Sequence, residues 1–265
     1  MDAAPYTARA IKGTALLEET RALLRAWRPG ESAAALRRRA REEDLLGKAT
    51  AARAGDIVQA AFADRLLTEG QEPAASLRRL LEARGNGPWF AQMCLLFAAR
   101  ADVVLREAVT VFLPAMRARG VEAVNTTDFV RFLDEAQAAG RMVKPWSPTV
   151  RVSVAQHVLH QLSDLGVLGA GRRGVRSILR YRCGSLGVAW LACDLHQRGS
   201  SDLSLVEHPD WEVWQLRGET LRETLDRLSD LGLWVYQGAG SVVRITWNWS
   251  EWSQVLDALE GSDFD

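Results

Sequence analysis

A basic loop between residues 169 and 182 contains the side chains with the clearest chemical potential. Arg172 and Arg173 stand between glycines, and Arg176 and Arg180 follow shortly after them. Guanidinium groups form paired, charge-assisted hydrogen bonds with phosphate oxygens, and neighbouring glycines let the backbone approach a phosphate closely. The loop therefore predicts contact with a nucleic-acid backbone. The alternative is a solvated hairpin tip whose charge is incidental.

The segment before this loop, residues 147–166, is predicted to be one amphipathic helix. Ser147 can cap its first N–H groups, Pro148 suits its first position, and Gly166 can end it. At about 100° per residue, one face is apolar and the other carries hydrogen-bonding side chains without a carboxylate. The polar face consists of Thr149, Ser153, Gln156 and His160. Such side chains can donate to phosphates or to base edges in a DNA groove.

Charge along the chain is strongly polarised, although the formal net charge is zero. Residues 141–182 contain eight basic residues and one acidic residue, whereas residues 183–265 contain five basic and fourteen acidic residues. Within the basic segment, Arg141 and Lys144 of the linker and Arg151 of the helix are further candidates for phosphate contacts. Local charge of this kind favours a polyanion as the partner of the middle segment.

A second cluster of arginines lies near the N-terminus and includes Arg37, Arg38 and Arg41. These side chains could extend a phosphate-binding track. The alternative is a solvated helix face, in which they pair with the acidic residues at positions 42–44.

Motifs for catalysis or metal binding are missing from the sequence. It contains no GxxxxGK[ST] loop, no GxSxG elbow and no HExxH helix. His157 and His160 lie three residues apart, and Cys183, Cys193 and His196 form a second group, but neither has the short paired spacing of metal sites. We therefore predict no enzymatic activity, no metal and no other cofactor.

The order of elements around the basic loop is typical of a winged helix. A capping cluster at residues 125–128 starts a helix that ends near Gly140, and the polar-faced helix and a short hairpin follow. In winged-helix proteins the second helix enters a DNA groove and the wing contacts phosphates. We predict such a unit at residues 125–182.

Residues 1–124 show helical periodicity without strand-like alternation. The predicted fold class is therefore mainly α, with an N-terminal bundle of five to seven helices. The predicted helices lie at about 15–27, 31–41, 50–68, 73–83, from 88 onward, and 102–112.

A repeat indicates a second winged-helix-type unit at residues 183–265. The pentapeptide Leu-Ser-Asp-Leu-Gly at 162–166 recurs at 228–232, 66 positions later, and a hairpin signal with a turn at 238–240 follows the second copy. At this shift Ser153 becomes Glu219 and His160 becomes Asp226. Because such a face repels phosphate, we predict that the second unit packs against protein rather than DNA.

Cysteine and tryptophan usage indicates the compartment and the core. Cys94, Cys183 and Cys193 fit no disulfide framework, which is typical of the reducing cytoplasm. There is no apolar run of membrane-spanning length and no signal peptide, so we predict a cytoplasmic protein without membrane contact. Eight of ten tryptophans lie from Trp146 onward. We predict that these form core, the alternative being stacking on single-stranded bases.

Five short motifs are spread over residues from about 6 to 182, at Leu45–Thr50, Asp64–Leu66, Ala98–Asp102, Trp146–Thr149 and Leu162–Gly166. In these motifs the segment resembles the BrxA family, a small component of bacterial BREX (bacteriophage exclusion) anti-phage systems. The resemblance implies a NusB-like helical fold, nucleic-acid binding without catalysis, and other BREX proteins as candidate partners.

The leading hypothesis is a non-enzymatic component of phage defence that binds double-stranded DNA through helix 147–166 and the basic wing at 169–182. It requires Ser153, Gln156, His160 and the turn at 169–175 to lie at the surface. A second hypothesis is a protein–protein adaptor, in which the acidic unit recruits a basic partner. A third is an RNA-binding factor of NusB type, which rests on fold analogy alone.

Overall fold

A computed structural model describes residues 5–8, 11, 15–48, 50–239 and 242–262. Over these residues the chain is mainly helical, with two small antiparallel sheets of two strands each. The predicted mainly α class is confirmed.

Six helices precede the first strand in the described part of the chain. Two of them, α3 and α6, change to π-helical geometry in their middle turns. The helices are α1 (Leu17–Ala26), α2 (Ala33–Glu42), α3 (Ala51–Ile57, Val58–Ala63 and Asp64–Leu66), α4 (Glu72–Arg84), α5 (Pro88–Ala101) and α6 (Val103–Glu107, Ala108–Phe112 and Leu113–Ala118).

The remaining elements contain both sheets. They are β1 (Ala123–Asn125), α7 (Thr126–Ala138), α8 (Pro148–Asp164), β2 (Val175–Ser177), α9 (Ser185–Gln197), α10 (Asp202–Val206), a 3-10 helix (Pro209–Trp214), α11 (Gly218–Arg227, continued as 3-10 helix over Leu228–Leu231), β3 (Trp234–Ala239), β4 (Val242–Trp247) and α12 (Trp252–Gly261). Helix α10 and the 3-10 helix after it were missed by the sequence analysis.

The chain forms two compact units. The first consists of Met1–Ala75 and Cys94–Tyr181, and the second consists of Ser76–Met93 and Arg182–Asp265. The three-part division predicted from the sequence, at 1–124, 125–182 and 183–265, stays a prediction.

In the first unit, α8 forms as predicted, between Ser147 and Gly166. The Ser147 hydroxyl accepts from the amide of Val150, and Gly166 has a φ of 76° that favours glycine. On its apolar face Val154 and Val158 are fully buried, and the helix packs against α7. Burial of this face leaves the polar face outward.

An aromatic cluster holds α7 against α6 within the same unit. The Phe112 and Phe129 rings meet edge to face with centroids 4.9 Å apart, and Phe132 lies 5.5 Å from Phe112. Edge-to-face pairs of this kind contribute beyond their buried area. The cluster thereby positions α7 under α8.

The sequence analysis missed β1, which pairs antiparallel with β2 so that Val124 lies opposite Arg176. Leu168 and Ile178 form a further bridge, and the Gly169 amide donates to the Ser177 carbonyl at 2.8 Å. A three-residue strand is too short to show alternation, so its pairing with a partner about fifty residues away is invisible locally.

The predicted capping cluster at 125–128 is confirmed as a capping box at the start of α7. The Asn125 side chain accepts from the amides of Thr127 and Asp128, and the Asp128 carboxylate accepts from the amide of Asn125. This box fixes the angle between β1 and α7.

We expect Asn125→Ala to lower the free energy of unfolding by about 1 kcal/mol, because two helix N–H groups lose their acceptor. Denaturant titration followed by circular dichroism measures it. Thr127→Ala is the matched control, since Thr127 is exposed and its position lies within the same turn. Equal effects from both changes would contradict a capping role for Asn125.

The two pentapeptide copies share a serine hydrogen bond and a closing glycine, although the first ends an α-helix and the second forms a 3-10 helix. The Ser163 hydroxyl donates to the Leu159 carbonyl at 3.1 Å, and the Ser229 hydroxyl donates to the Leu225 carbonyl at 3.4 Å. The closing glycine of the second copy, Gly232, has a φ of 74°. The sequence identity thus has a structural counterpart at the end of each helix, and the repeat of two winged-helix-type units stays a prediction.

The hairpin predicted after the second copy is confirmed as β3 and β4, with Trp234 opposite Trp247 and Tyr236 opposite Ile245. Its predicted turn at 238–240 includes Gly240, which lies outside the described residues.

Tryptophans form much of the core of the second unit, as predicted. Trp190, Trp211, Trp214 and Trp234 are at most 1% exposed. Three of them donate their indole N–H to carbonyl oxygens, namely Trp211, Trp214 and Trp234, the last to Leu225 at 3.0 Å. The core prediction is confirmed for these four.

The three cysteines are free. Burial raises the pKa of the Cys94 thiol to about 12, so Cys94 carries almost no thiolate at neutral pH. In the described part of the chain, no helix combines the length and the apolar character needed to cross a membrane.

Candidate nucleic-acid interface

The basic loop of the first unit is a tight hairpin whose two central residues are Arg173 and Gly174. Their φ angles are 52° and 79°, and Arg172 and Val175 exchange backbone hydrogen bonds of 3.0 and 3.1 Å on either side. Positive φ at both central positions is the mark of the primed turns that fit the twist of a hairpin. The turn therefore places Arg172 and Arg173 at the outer end of the loop.

A cleft of about 460 Å³ lies between α8 and this turn. Helix α8 and the N-terminus of α7 line one part, and the hairpin lines the other. The lining residues are Thr126, Gln156, His157, His160, Gly174 and Arg176. The fold thus brings the polar face of α8 and the basic hairpin, predicted separately, to one concave surface.

Most of the predicted side chains of α8 and the hairpin lie at the surface. Ser153 is half-buried and does not line the cleft. The exposed residues are Thr149, Gln156, His160, Arg172, Arg173 and Arg180. The accessibility that the DNA hypothesis requires is present at Gln156, His160 and the hairpin turn.

Two histidines on α8 have defined partners. His157 Nδ1 lies 2.7 Å from the Ser153 carbonyl, which can only accept, so this nitrogen carries the proton. His157 therefore directs its other ring nitrogen away from the helix backbone, as an acceptor when the ring is neutral. His160 Nε2 lies 3.8 Å from an Asp164 carboxylate oxygen, a distance that gives an ion pair only when the imidazole is protonated.

Arg176 connects the cleft to the sheet. It is half-buried on β2, and its Nε is buried without a hydrogen-bond partner among the described residues. A Cβ on Gly171 would lie 3.3 Å from the Arg176 guanidinium carbon, so the glycine leaves room for this side chain. An arginine held in this way presents a fixed donor set to an incoming oxygen.

Two of the predicted residues have partners within the fold. Arg141 donates to Glu107 and stacks on the Tyr6 ring at 5.1 Å, and its hydrogen bond with Glu107 raises the pKa of Arg141. Arg151 pairs with Asp134 at 2.6 Å and is 16% exposed. These two arginines hold elements of the first unit together, while Lys144 of the linker is exposed.

The N-terminal arginines line a different cleft of about 430 Å³ between α2 and α3. Arg37 donates to Gln59 there, Arg41 is exposed beside it, and Arg38 is exposed on α2. Neither Arg37 nor Arg41 lines the cleft of the hairpin. They form a separate basic surface.

The sequence analysis missed Thr126, His157 and Gly174 as cleft residues. His157 was considered only as a metal ligand, yet its place three residues before His160 is a signal that both share one side of α8. Thr126 has no local signal, because it reaches the cleft through the pairing of β1 with β2. No group of histidine, cysteine, aspartate and glutamate side chains in the described residues is placed to hold a metal ion.

Comparison with known proteins gives one family match. The family model described as BrxA matches residues 4–181. The match includes the cleft and ends where the last segment of the first compact unit ends. A search of curated proteins finds no match.

Proposed function

This chain belongs to the BrxA family and is thereby a component of a BREX phage-defence system, and on this premise we propose that it binds double-stranded DNA without catalysing a reaction. The observation that carries the proposal is the cleft between α8 and the Arg173–Gly174 turn. It combines hydrogen-bonding side chains on a helix face with Arg176 of the hairpin, and the exposed Arg172 and Arg173 lie at the adjacent turn.

The order of elements from α6 to β2 supports the proposal. Within the first unit, helix α6 is followed by strand β1, helices α7 and α8, and a hairpin whose strand β2 pairs with β1. We propose that this segment acts as a winged helix, with α8 as the recognition helix and the Arg173–Gly174 hairpin as the wing.

The dimensions of duplex DNA agree with this arrangement. A helix with its side chains is about 10–12 Å wide, and the major groove of B-DNA is about 12 Å wide. With α8 in the groove, Gln156 and His160 would face base edges. Arg172 and Arg173 would contact the flanking phosphates, which fix position without reading sequence.

Duplex affinity at two salt concentrations tests the proposal. We expect Arg172→Ala with Arg173→Ala to weaken binding by about tenfold near 50 mM salt, because two phosphate contacts are lost. The slope of log affinity against log salt should shrink by about 2 for the same reason. Fluorescence anisotropy with a labelled duplex of about 20 base pairs measures both.

The matched control is Arg227→Ala with Arg244→Ala, which removes two exposed arginines from the second unit. It should leave the salt slope unchanged. Equal losses in both double variants would show that overall charge, rather than the wing, sets the affinity. If a structured RNA competes for the protein better than the duplex does, the partner is RNA rather than DNA.

A further inference from the structure

The second unit contains a cleft beside α11, the helix that corresponds to α8 in the 66-residue repeat. It lies between α11 and β3 and encloses about 220 Å³. The lining residues are Glu219, Arg222, Glu223, Asp226, Tyr236 and Gly238.

The 66-residue shift relates the three α8 residues that line the first cleft to three α11 residues that line the second. Gln156 corresponds to Arg222, His157 to Glu223, and His160 to Asp226. The second cleft thus has three carboxylates and one guanidinium, whereas the first has no carboxylate among its lining residues and includes Arg176 of the hairpin. The same surface of the repeated unit has acquired the opposite charge.

A buried hydroxyl inside the acidic cleft has an unmet hydrogen bond. Tyr236 is 9% exposed, and its hydroxyl has no partner among the described residues. Burial raises the pKa of Tyr236. The charge of Arg222 lowers this pKa, and the charges of Glu219 and Asp226 raise it, because these three groups lie close to the hydroxyl. A Cβ on Gly238 would lie 2.9 Å from the hydroxyl oxygen, so any larger residue at position 238 would displace the Tyr236 ring. Leaving such a group unpaired costs free energy that a ligand can recover.

We propose that the acidic cleft of the second unit binds an arginine side chain from a basic segment of a partner protein. A guanidinium carries five N–H donors and no acceptor, which complements three carboxylates and a hydroxyl oxygen. Residues 183–265 contain fourteen acidic and five basic residues, and their negative net charge attracts the same kind of partner at longer range.

Size and charge distinguish this occupant from others. Pockets for drug-sized ligands measure about 300–1,000 Å³, so the smaller cleft suits a single side chain. A phosphate would meet three carboxylates, which excludes DNA from this face. The carboxylates are not among groups placed to hold a metal ion in the described residues.

Binding of an acetylated hexa-arginine peptide to the full chain tests the proposal. We expect Glu219→Gln, Glu223→Gln and Asp226→Asn together to weaken binding by at least about tenfold in isothermal titration calorimetry. The control is Glu42→Gln, Glu135→Gln and Glu207→Gln, which removes the same charge from exposed positions and should change affinity less than about threefold. Equal losses in the two triple variants, or no binding to the natural chain, would overturn the proposal.

Tyr236→Phe tests the contribution of the hydroxyl while the charge of the acidic cleft stays unchanged. Because the hydroxyl is unpartnered in the free protein, its removal should leave the melting temperature unchanged or raised. Peptide affinity should nevertheless fall severalfold, and hexa-lysine should bind more weakly than hexa-arginine to the natural chain. Unchanged peptide affinity in this variant would show that the bound side chain does not reach the hydroxyl, contrary to the proposal.

Discussion

Replacing Ser153 by Glu, His157 by Glu and His160 by Asp should weaken duplex binding by about a hundredfold or more. These are the residues found at the equivalent positions 219, 223 and 226 of the second repeat. Each new carboxylate would lie on the polar side of α8 that is proposed to enter the groove, where repulsion by phosphates costs about 1 kcal/mol per charge even in water. Three such costs add to about two orders of magnitude in affinity.

The fold should survive this exchange, because the equivalent helix α11 forms with the same acidic residues. None of the three positions is fully buried. Electrophoretic mobility shift with a labelled duplex measures the loss, and circular dichroism confirms the helix content.

The matched control places three carboxylates on exposed positions of the second unit, as Gln197→Glu, Gln237→Glu and Thr246→Glu. It makes the same change in net charge away from α8. If the two triple variants bind duplex equally, the face of α8 is not the DNA contact and the proposed winged-helix mode is wrong.

Trp214→Ala should lower the free energy of unfolding of the second unit by about 3–5 kcal/mol, the usual cost of removing a buried aromatic side chain. Trp214 is 1% exposed, and its indole N–H donates to the Gln92 carbonyl at 3.1 Å. The ring also fills the space beside Gly187, where a Cβ would lie 3.3 Å from it. The substitution therefore leaves a cavity and removes this hydrogen bond.

Urea titration followed by tryptophan fluorescence measures this loss. Eight of the ten tryptophans belong to the second unit, so the signal reports mainly on its unfolding. Leu203→Ala is the control, since Leu203 is 47% exposed in the same unit and should cost about 0.5 kcal/mol or less. A midpoint for Trp214→Ala equal to that of the control would show that the Trp214 contacts contribute little to stability.

The helices and their caps could be predicted from the sequence because their determinants are local. Ser147, Pro148 and Gly166 bound α8 through contacts within one turn. The apolar spacing along the same segment decides which face is buried, and thereby which face is exposed. The repeated pentapeptide likewise closes both copies through the same short-range serine hydrogen bond.

The composition of the cleft was decided by the tertiary structure. Arg141 and Arg151 look as available in the sequence as Arg172 and Arg173, but folding brings Glu107 and Asp134 against them. Thr126 enters the cleft only because β1 pairs with β2.

The sequence by itself determined most of the helices, their buried faces, the repeated pentapeptide and the basic hairpin of this protein. The tertiary structure decided which cations remain available, which small strand completes the sheet, and that each repeat carries a cleft. The physical reason is the range of the interactions. Caps and helical faces depend on neighbours within about four residues, whereas ion pairs and strand pairing depend on partners that only the folded chain brings together.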